Sequence, residues 1–174
     1  MNLLKTTIVL AFSAILMGSC RTTYIKKFYK DANRSKICEA NSVVMRLKAD
    51  TLRVIYPELT MFDFGKDEIK PAAKVSLQQL STLLKDYDRI SFVINGYTDN
   101  VGGADVNQSL SERRAQNAKS LFQANGVNAD RMQTNGRGAD NPIMSNTTED
   151  GRQANRRVEL LLYERKLKSI TELR

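Results

Sequence analysis

The chain has 174 residues, 41% of them hydrophobic and 26% charged, so one globular domain with a real core plus a targeting segment is the natural allotment. Twenty-seven Lys and Arg against nineteen Asp and Glu leave a net charge of +8, without any block of five or six like charges, and no nucleic-acid partner is expected from it. Histidine is absent, which removes His-dependent zinc sites and Ser-His or Cys-His nucleophile pairs; neither enzyme, metal site nor cofactor is expected.

Residues 1–19 read as an export signal: Lys5, then the apolar run Ile8-Val-Leu-Ala-Phe-Ser-Ala-Ile-Leu-Met17, then small residues. The run is about ten residues, half of what a spanning helix needs. It ends on Gly18-Ser19-Cys20, an ending similar to a bacterial lipobox, in which the Cys is acylated, palmitate included, and becomes the mature N-terminus. Met17 stands where Leu is more usual, and ordinary cleavage leaving a free Cys20 is the alternative. Cys38 then remains as the one free thiol, read as incidental. Residues 20–45 are basic and lack a strong amphipathic pattern, which predicts a tether reaching about 80–90 Å when extended.

The domain is expected over residues 46–165. Thr51-Leu-Arg-Val-Ile-Tyr56 and Glu58-Leu-Thr-Met-Phe62 read as strand segments interrupted by Pro57. Pro71 opens a helix carrying Leu77, Leu80 and Leu84 at helical spacing. Ile90 to Ile94 is an apolar run suited to a central strand, Asn107 to Ala124 a second helix closed by Asn125-Gly126, and Asp130 to Asn135 a weak strand. Gly136, Gly138 and Pro142 mark a loop, Val158 to Tyr163 a last strand, and residues 166–174 a polar tail. This order predicts a two-layer α/β sandwich, a βαβαββ-type mixed sheet with helices on one face.

Two stretches carry the chemistry. Asn95-Gly-Tyr-Thr-Asp-Asn-Val-Gly-Gly103 puts the carboxylate of Asp99 in a Gly-rich turn beyond a strand end, where open α/β sheets bind ligands. Asn107-Gln-Ser-Leu-Ser-Glu-Arg-Arg-Ala115 opens the second helix. With Leu110 as the origin of a wheel stepped by 100° per residue, Leu121 falls at about 20°, Arg114 at about 40°, Asn107 at about 60° and Ala118 at about 80°. Arg114 therefore lies within the apolar arc, where an unpaired guanidinium is costly, and Asp99 is the nearest anionic candidate in sequence. A purely structural ion pair explains the same positions.

Five blocks then follow in register: Phe62-Asp-Phe-Gly-Lys-Asp-Glu-Ile-Lys-Pro71, Gly96-Tyr-Thr-Asp-Asn-Val-Gly102, Asn107-x-x-Leu-Ser-x-Arg-Arg-Ala115, Gly136-x-Gly138-x-x-Asn-Pro142 and Gly151-Arg-x-x-Asn-Arg-Arg-Val-Glu159. Together, over roughly residues 52 to 163, they resemble the peptidoglycan-binding domain shared by OmpA, the peptidoglycan-associated lipoprotein and MotB-type stator proteins. The resemblance implies non-covalent binding of the peptidoglycan stem peptide, with Asp99 accepting from the ammonium of diaminopimelate and the Arg114 fork taking its carboxylate. Thr98 and Leu110 line the pocket or merely pack, and Asn107 contacts the ligand or caps the turn. Similar domains place the corner of Arg156 and Arg157 near the pocket, without indicating which of the two faces in. The first block departs from the family, with Gly65 after Phe64 and the acids at Asp63 and Asp67, so a carboxylate contact from this block is not carried over. The resulting expectation is a lipoprotein of the outer membrane, lipid-anchored and facing the periplasm, that couples membrane to wall. The alternative is a protein-interaction module of a trans-envelope or secretion assembly, with envelope protein partners and auxiliary wall binding.

Overall fold

The structure, a computed structural model, describes residues 24–35 and 43–165. The signal segment, Cys20, Cys38 and the tail over 166–174 lie outside the described residues.

Residues 24–34, expected as tether, form a helix (α1). Ile25, Phe28 and Ala32 share one face at helical spacing, and all three are fully buried. With half-buried Tyr29 they repeat at i, i+3, i+4 and i+7 over only two turns, a stripe too short to read without knowing what lies beneath it. What lies beneath is Tyr87: the rings of Tyr24 and Phe28 meet it edge-on at 5.2 and 5.1 Å, and its hydroxyl donates to Asp31 Oδ2 at 2.5 Å. Burial first, then the Asp31 carboxylate, pushes the Tyr87 phenol up to about 12.

Strand β1 (Val44–Lys48) and strand β2 (Thr51–Pro57) make a tight antiparallel hairpin, pairing Lys48 with Thr51. The short helix α2 (Glu58–Met61) replaces the expected second strand segment. Pro57, at φ −60°, ends β2, and the backbone then closes a single turn in which Phe62 N donates to Glu58 O at 2.8 Å. Helix α3 (Pro71–Lys85) begins at its proline as expected and buries Ala73, Leu77, Leu80 and Leu84. Strand β3 (Ile90–Tyr97), helix α4 (Ala104–Ala124), a 3₁₀ turn (Ala129–Arg131), strand β4 (Met132–Gly136), helix α5 (Glu149–Asn155) and strand β5 (Arg157–Glu164) complete the order. The stretch that carries α5 lies between the loop marked by Gly136, Gly138 and Pro142 and the last strand, where no element is expected.

The five strands form one mixed sheet in the order β1-β2-β5-β3-β4, with only the β3–β4 pair parallel. Register places Val54, Leu160 and Ile94 side by side, and likewise Leu52, Leu162 and Phe92. These residues share a core with the leucines of α3 and with Ala118 and Phe122 of α4, the Phe92 and Phe122 rings meeting at 5.1 Å. The expected sandwich of a mixed sheet with helices packed on it is the observed architecture, enlarged by β1, α1, α2 and α5.

Two glycines set how closely α4 lies on the sheet. A Cβ at Gly96 would stand 2.1 Å from the Ser111 carbonyl oxygen, and one at Gly136 would stand 2.8 Å from Glu112 N. The first turns of α4 thus rest directly on the ends of β3 and β4, which carries Asn107, Leu110 and Arg114 up to the loop that holds Asp99.

If α1 is an integral part of the core, Phe28→Ala removes a buried ring and lowers stability by about 3 kcal/mol in urea denaturation of the full chain. Lys30→Ala, on the exposed face, stays within about 0.5 kcal/mol of the wild type. Equal midpoints for the two variants would mean that the helix contributes nothing to the fold.

Candidate functional site

Strand β3 runs out at Tyr97, and the next residues turn back over its end. Thr98 N donates to Gly138 O at 2.8 Å, tying the turn to the loop after β4. Asp99 Oδ1 accepts from Val101 N at 2.9 Å, a side-chain turn that orients the carboxylate, and Gly102 at φ +94° allows the reversal into α4. From α4, the amide of Asn107 donates to Val101 O at 3.0 Å and to Asp99 O at 3.4 Å. Asn107 is therefore a strut of the Asp99 turn as well as part of the pocket wall.

Arg114 is 1% exposed, in agreement with its place on the helical wheel. Its carboxylate partner is Glu58, not Asp99. Nη2 of Arg114 donates to Glu58 Oε1, Nε donates to Lys66 O at 2.9 Å, and the guanidinium carbon stands 4.8 Å from the centre of the Phe62 ring. Among the described residues, Nη1 is the nitrogen of this group that no acceptor engages. A fully free fork, ready to take a carboxylate along either edge, is thus not what the fold presents.

Asp99 pairs with Arg156 instead. Nη1 of Arg156 donates to Asp99 Oδ2 at 2.6 Å, Nε to Glu58 Oε2 at 2.6 Å, and Nη2 to Glu149 Oε1 at 2.9 Å. Burial works against the Arg156 charge, but its hydrogen bonds to Asp99 and Glu149 and the nearby Glu58 carboxylate prevail, holding its pKa above the ordinary arginine value. Arg114, Glu58, Arg156 and Asp99 form one continuous chain of alternating charge.

Arg156, at the end of α5, is the arginine of the corner that lines the pocket. Arg157 takes the opposite side of the sheet: it donates to Glu159 Oε1 at 2.7 Å and to the carbonyls of Asn155 and Asn141, and stacks over Tyr97 at 3.8 Å. Arg156, just before β5, has extended backbone, and successive extended residues point to opposite sides, so only one of the pair enters.

A cavity of about 150 Å³ opens at this cluster, with Asp99, Arg114, Thr98, Asn107, Leu110 and Arg156 in its wall. The same wall includes Glu58, Phe64, Gly65 and Val101, which the sequence did not single out. Glu58 reads in the sequence as a strand residue, and nothing local marks it; the weak cue is an acid directly after Pro57, as at a helix start. Phe64, an aromatic ring in this wall, is 82% exposed. Asp63 and Asp67 are absent from the wall; Asp63 pairs with Lys66 and Lys70, and Asp67 with Arg113 at 2.5 Å. The first block thus supplies a ring and a backbone carbonyl but no ligand carboxylate. Among the described residues no group of His, Cys, Asp and Glu is arranged to hold a metal ion.

Residues 61–156 match the model of the OmpA family. The Escherichia coli protein "Probable lipoprotein YiaD" is 35% identical over 138 residues, 78% of this chain and 63% of its own length, so the chain spans less than two thirds of that relative. The structure is similar to that of a MotB-like protein of Desulfovibrio vulgaris, with a TM-score of 0.76 at 23% identity, covering 86% of this chain and 99% of the other. It is also similar to the peptidoglycan-associated lipoprotein of Burkholderia pseudomallei, with a TM-score of 0.56 at 26% identity, covering 59% and 87%.

Glu149 reports on this arrangement. Hydrogen bonds from Arg156 and then Arg152 hold its carboxyl below the ordinary value of 4.5. A depressed carboxyl stabilises the fold above its unfolded pKa, and that contribution disappears as pH falls through the folded value. An NMR titration of the Glu149 side-chain carboxyl should give a midpoint under 4.5, rising toward 4.5 in Arg152→Ala; a wild-type midpoint at or above 4.5 contradicts the pairing.

Proposed function

Because the chain belongs to the OmpA family of peptidoglycan-binding domains, we propose that its pocket binds the diaminopimelate end of the peptidoglycan stem peptide. The observation that carries this reading is the presence of Asp99 and Arg114 in the wall of one cavity at the end of β3. Asp99 offers a carboxylate to the ligand ammonium, and Arg114 offers Nη1 to the ligand carboxylate. Charge-assisted hydrogen bonds of this kind are about twice as strong as neutral ones. Thr98 and Asn107 hold the turn that brings the two charges together, Leu110 lines the cavity between them, and Arg156 fixes the Asp99 carboxylate. Arg157 serves the sheet rather than the ligand. Binding of this sort needs no bond to break, so the protein acts by holding.

The proposal extends to the N-terminus. Acylation of Cys20 would fix the chain to the outer membrane from the periplasmic side, each buried CH₂ contributing about 0.8 kcal/mol. No helix of the described residues is long and apolar enough to cross a membrane. Tethering raises the effective concentration of the pocket near the wall, so a modest site suffices to couple membrane and wall. A second reading, as a protein-interaction module of an envelope assembly with auxiliary wall binding, draws on the exposed apolar side chains of Phe64, Val101 and Val106.

Asp99→Asn keeps the side-chain shape and an oxygen for Val101 N but removes the charge that Arg156 also holds, so thermal melting is read beside binding. Co-sedimentation with purified peptidoglycan should fall at least about tenfold while circular dichroism stays native; undiminished sedimentation would make the site purely structural. Arg114→Ala is a poorer test, because stripping a partner from a buried ion pair costs about 3–5 kcal/mol of stability. For the anchor, Cys20→Ala should shift the protein from the membrane to the soluble periplasmic fraction. Membrane retention of that variant after a high-salt wash would rule acylation out as the attachment.

A further inference from the structure

The pocket reading gives roles to Asp99 and Arg114 and leaves Glu58 without one. Yet Glu58 lies in the wall of the same cavity, is 3% exposed, and divides its two oxygens between two guanidiniums. Oε1 accepts from Arg114 and Oε2 accepts from Arg156 at 2.6 Å. Its backbone is held as firmly as its side chain: Glu58 N donates to Arg156 O at 2.9 Å, and Glu58 O accepts from Phe62 N at 2.8 Å. A carboxylate so fixed has no room to swing aside when a ligand arrives.

The consequence is a matter of charge. The buried groups of the wall are two guanidiniums and two carboxylates, which cancel; Glu149, the further partner of Arg156, has a side chain 61% exposed and screened by water. Charge moved from water into a buried site must be matched there. Without Glu58 the wall would keep one surplus cation, and a plain carboxylate would match it. With Glu58 in place, a lone anion that reaches the free Nη1 of Arg114 enters against an already neutral wall. A terminus that carries ammonium and carboxylate on the same carbon adds one charge of each sign and leaves the balance intact.

We infer that Glu58 is a specificity-determining residue, which neutralises the arginine pair so that the pocket rejects simple anions and accepts an amino-acid terminus bearing both charges. This rests on the cavity being the ligand site. It assigns the choice of ligand charge to a residue 41 positions before Asp99 and outside the turn and helix that hold the proposed ligand-contacting groups.

The test uses calorimetric titration of the full chain in detergent with three probes: diaminopimelate, 2-aminopimelate and pimelate. The last two differ by a single ammonium. The wild type should bind 2-aminopimelate at least about tenfold more tightly than pimelate. Glu58→Gln keeps an acceptor oxygen but drops the charge, and should tighten pimelate by about tenfold, erasing or reversing the preference. Glu58→Asp keeps the charge and should keep the preference. The inference is overturned if the wild type binds pimelate as well as 2-aminopimelate, or if the Gln variant folds and discriminates like the wild type. A wild type that binds none of the three probes, diaminopimelate included, would instead remove the pocket reading itself, and the role of Glu58 with it.

Discussion

A carboxylate shared by two buried guanidiniums is the interaction on which this molecule turns. Glu58 joins Arg114 of α4 to Arg156 beyond α5, and Arg156 passes the connection to Asp99 after β3. Four segments far apart in the chain meet there, and none of the four charges would tolerate burial alone. Breaking any one link exposes the others to the cost of an uncompensated charge in a low-dielectric site. The same groups that hold the segments together form the wall of the cavity, so the architecture of the domain and the chemistry of its site are one arrangement.

The backbone makes this meeting possible. Gly96 and Gly136 let α4 settle onto the strand ends, and the Asp99 side chain folds its own turn back toward the helix. Opposite, the loop after α2 is drawn onto α4 by Arg114, which donates to Lys66 O, and by Arg113 and Asn117, which donate to Asp67. The pocket is thus closed on one side by a turn stiffened from within and on the other by a loop fastened from outside. Rigid walls of this kind suit a binding site, because little ordering remains to be done when the ligand arrives.

Much of the site was legible from local pattern. Asp99 stands in a Gly-rich turn after an apolar run, and Arg114 falls within the apolar arc of its helix; both are where those patterns placed them. Pro71 opened α3, and Asn125-Gly126 closed α4. The misses have a common cause. Residues 24–34 carry only three buried apolar residues, Glu58–Met61 form a single helical turn, and α5 is seven residues long. Elements this short have too few periods for a pattern to emerge, and they owe their form to what they pack against.

The sequence by itself determined the framework: which stretches alternate with the period of a strand or a helix, that a guanidinium must be buried on α4, and that a carboxylate sits at the end of β3. Those are consequences of spacing within a few residues, and spacing is written in the chain. The tertiary structure alone decided who pairs with whom. Arg114 meets Glu58 across 56 positions, Arg156 meets Glu58 across 98 and Asp99 across 57. At such separations sequence proximity says nothing about contact, and a buried charge takes the counter-charge that the sheet order and the helix docking bring within hydrogen-bond reach.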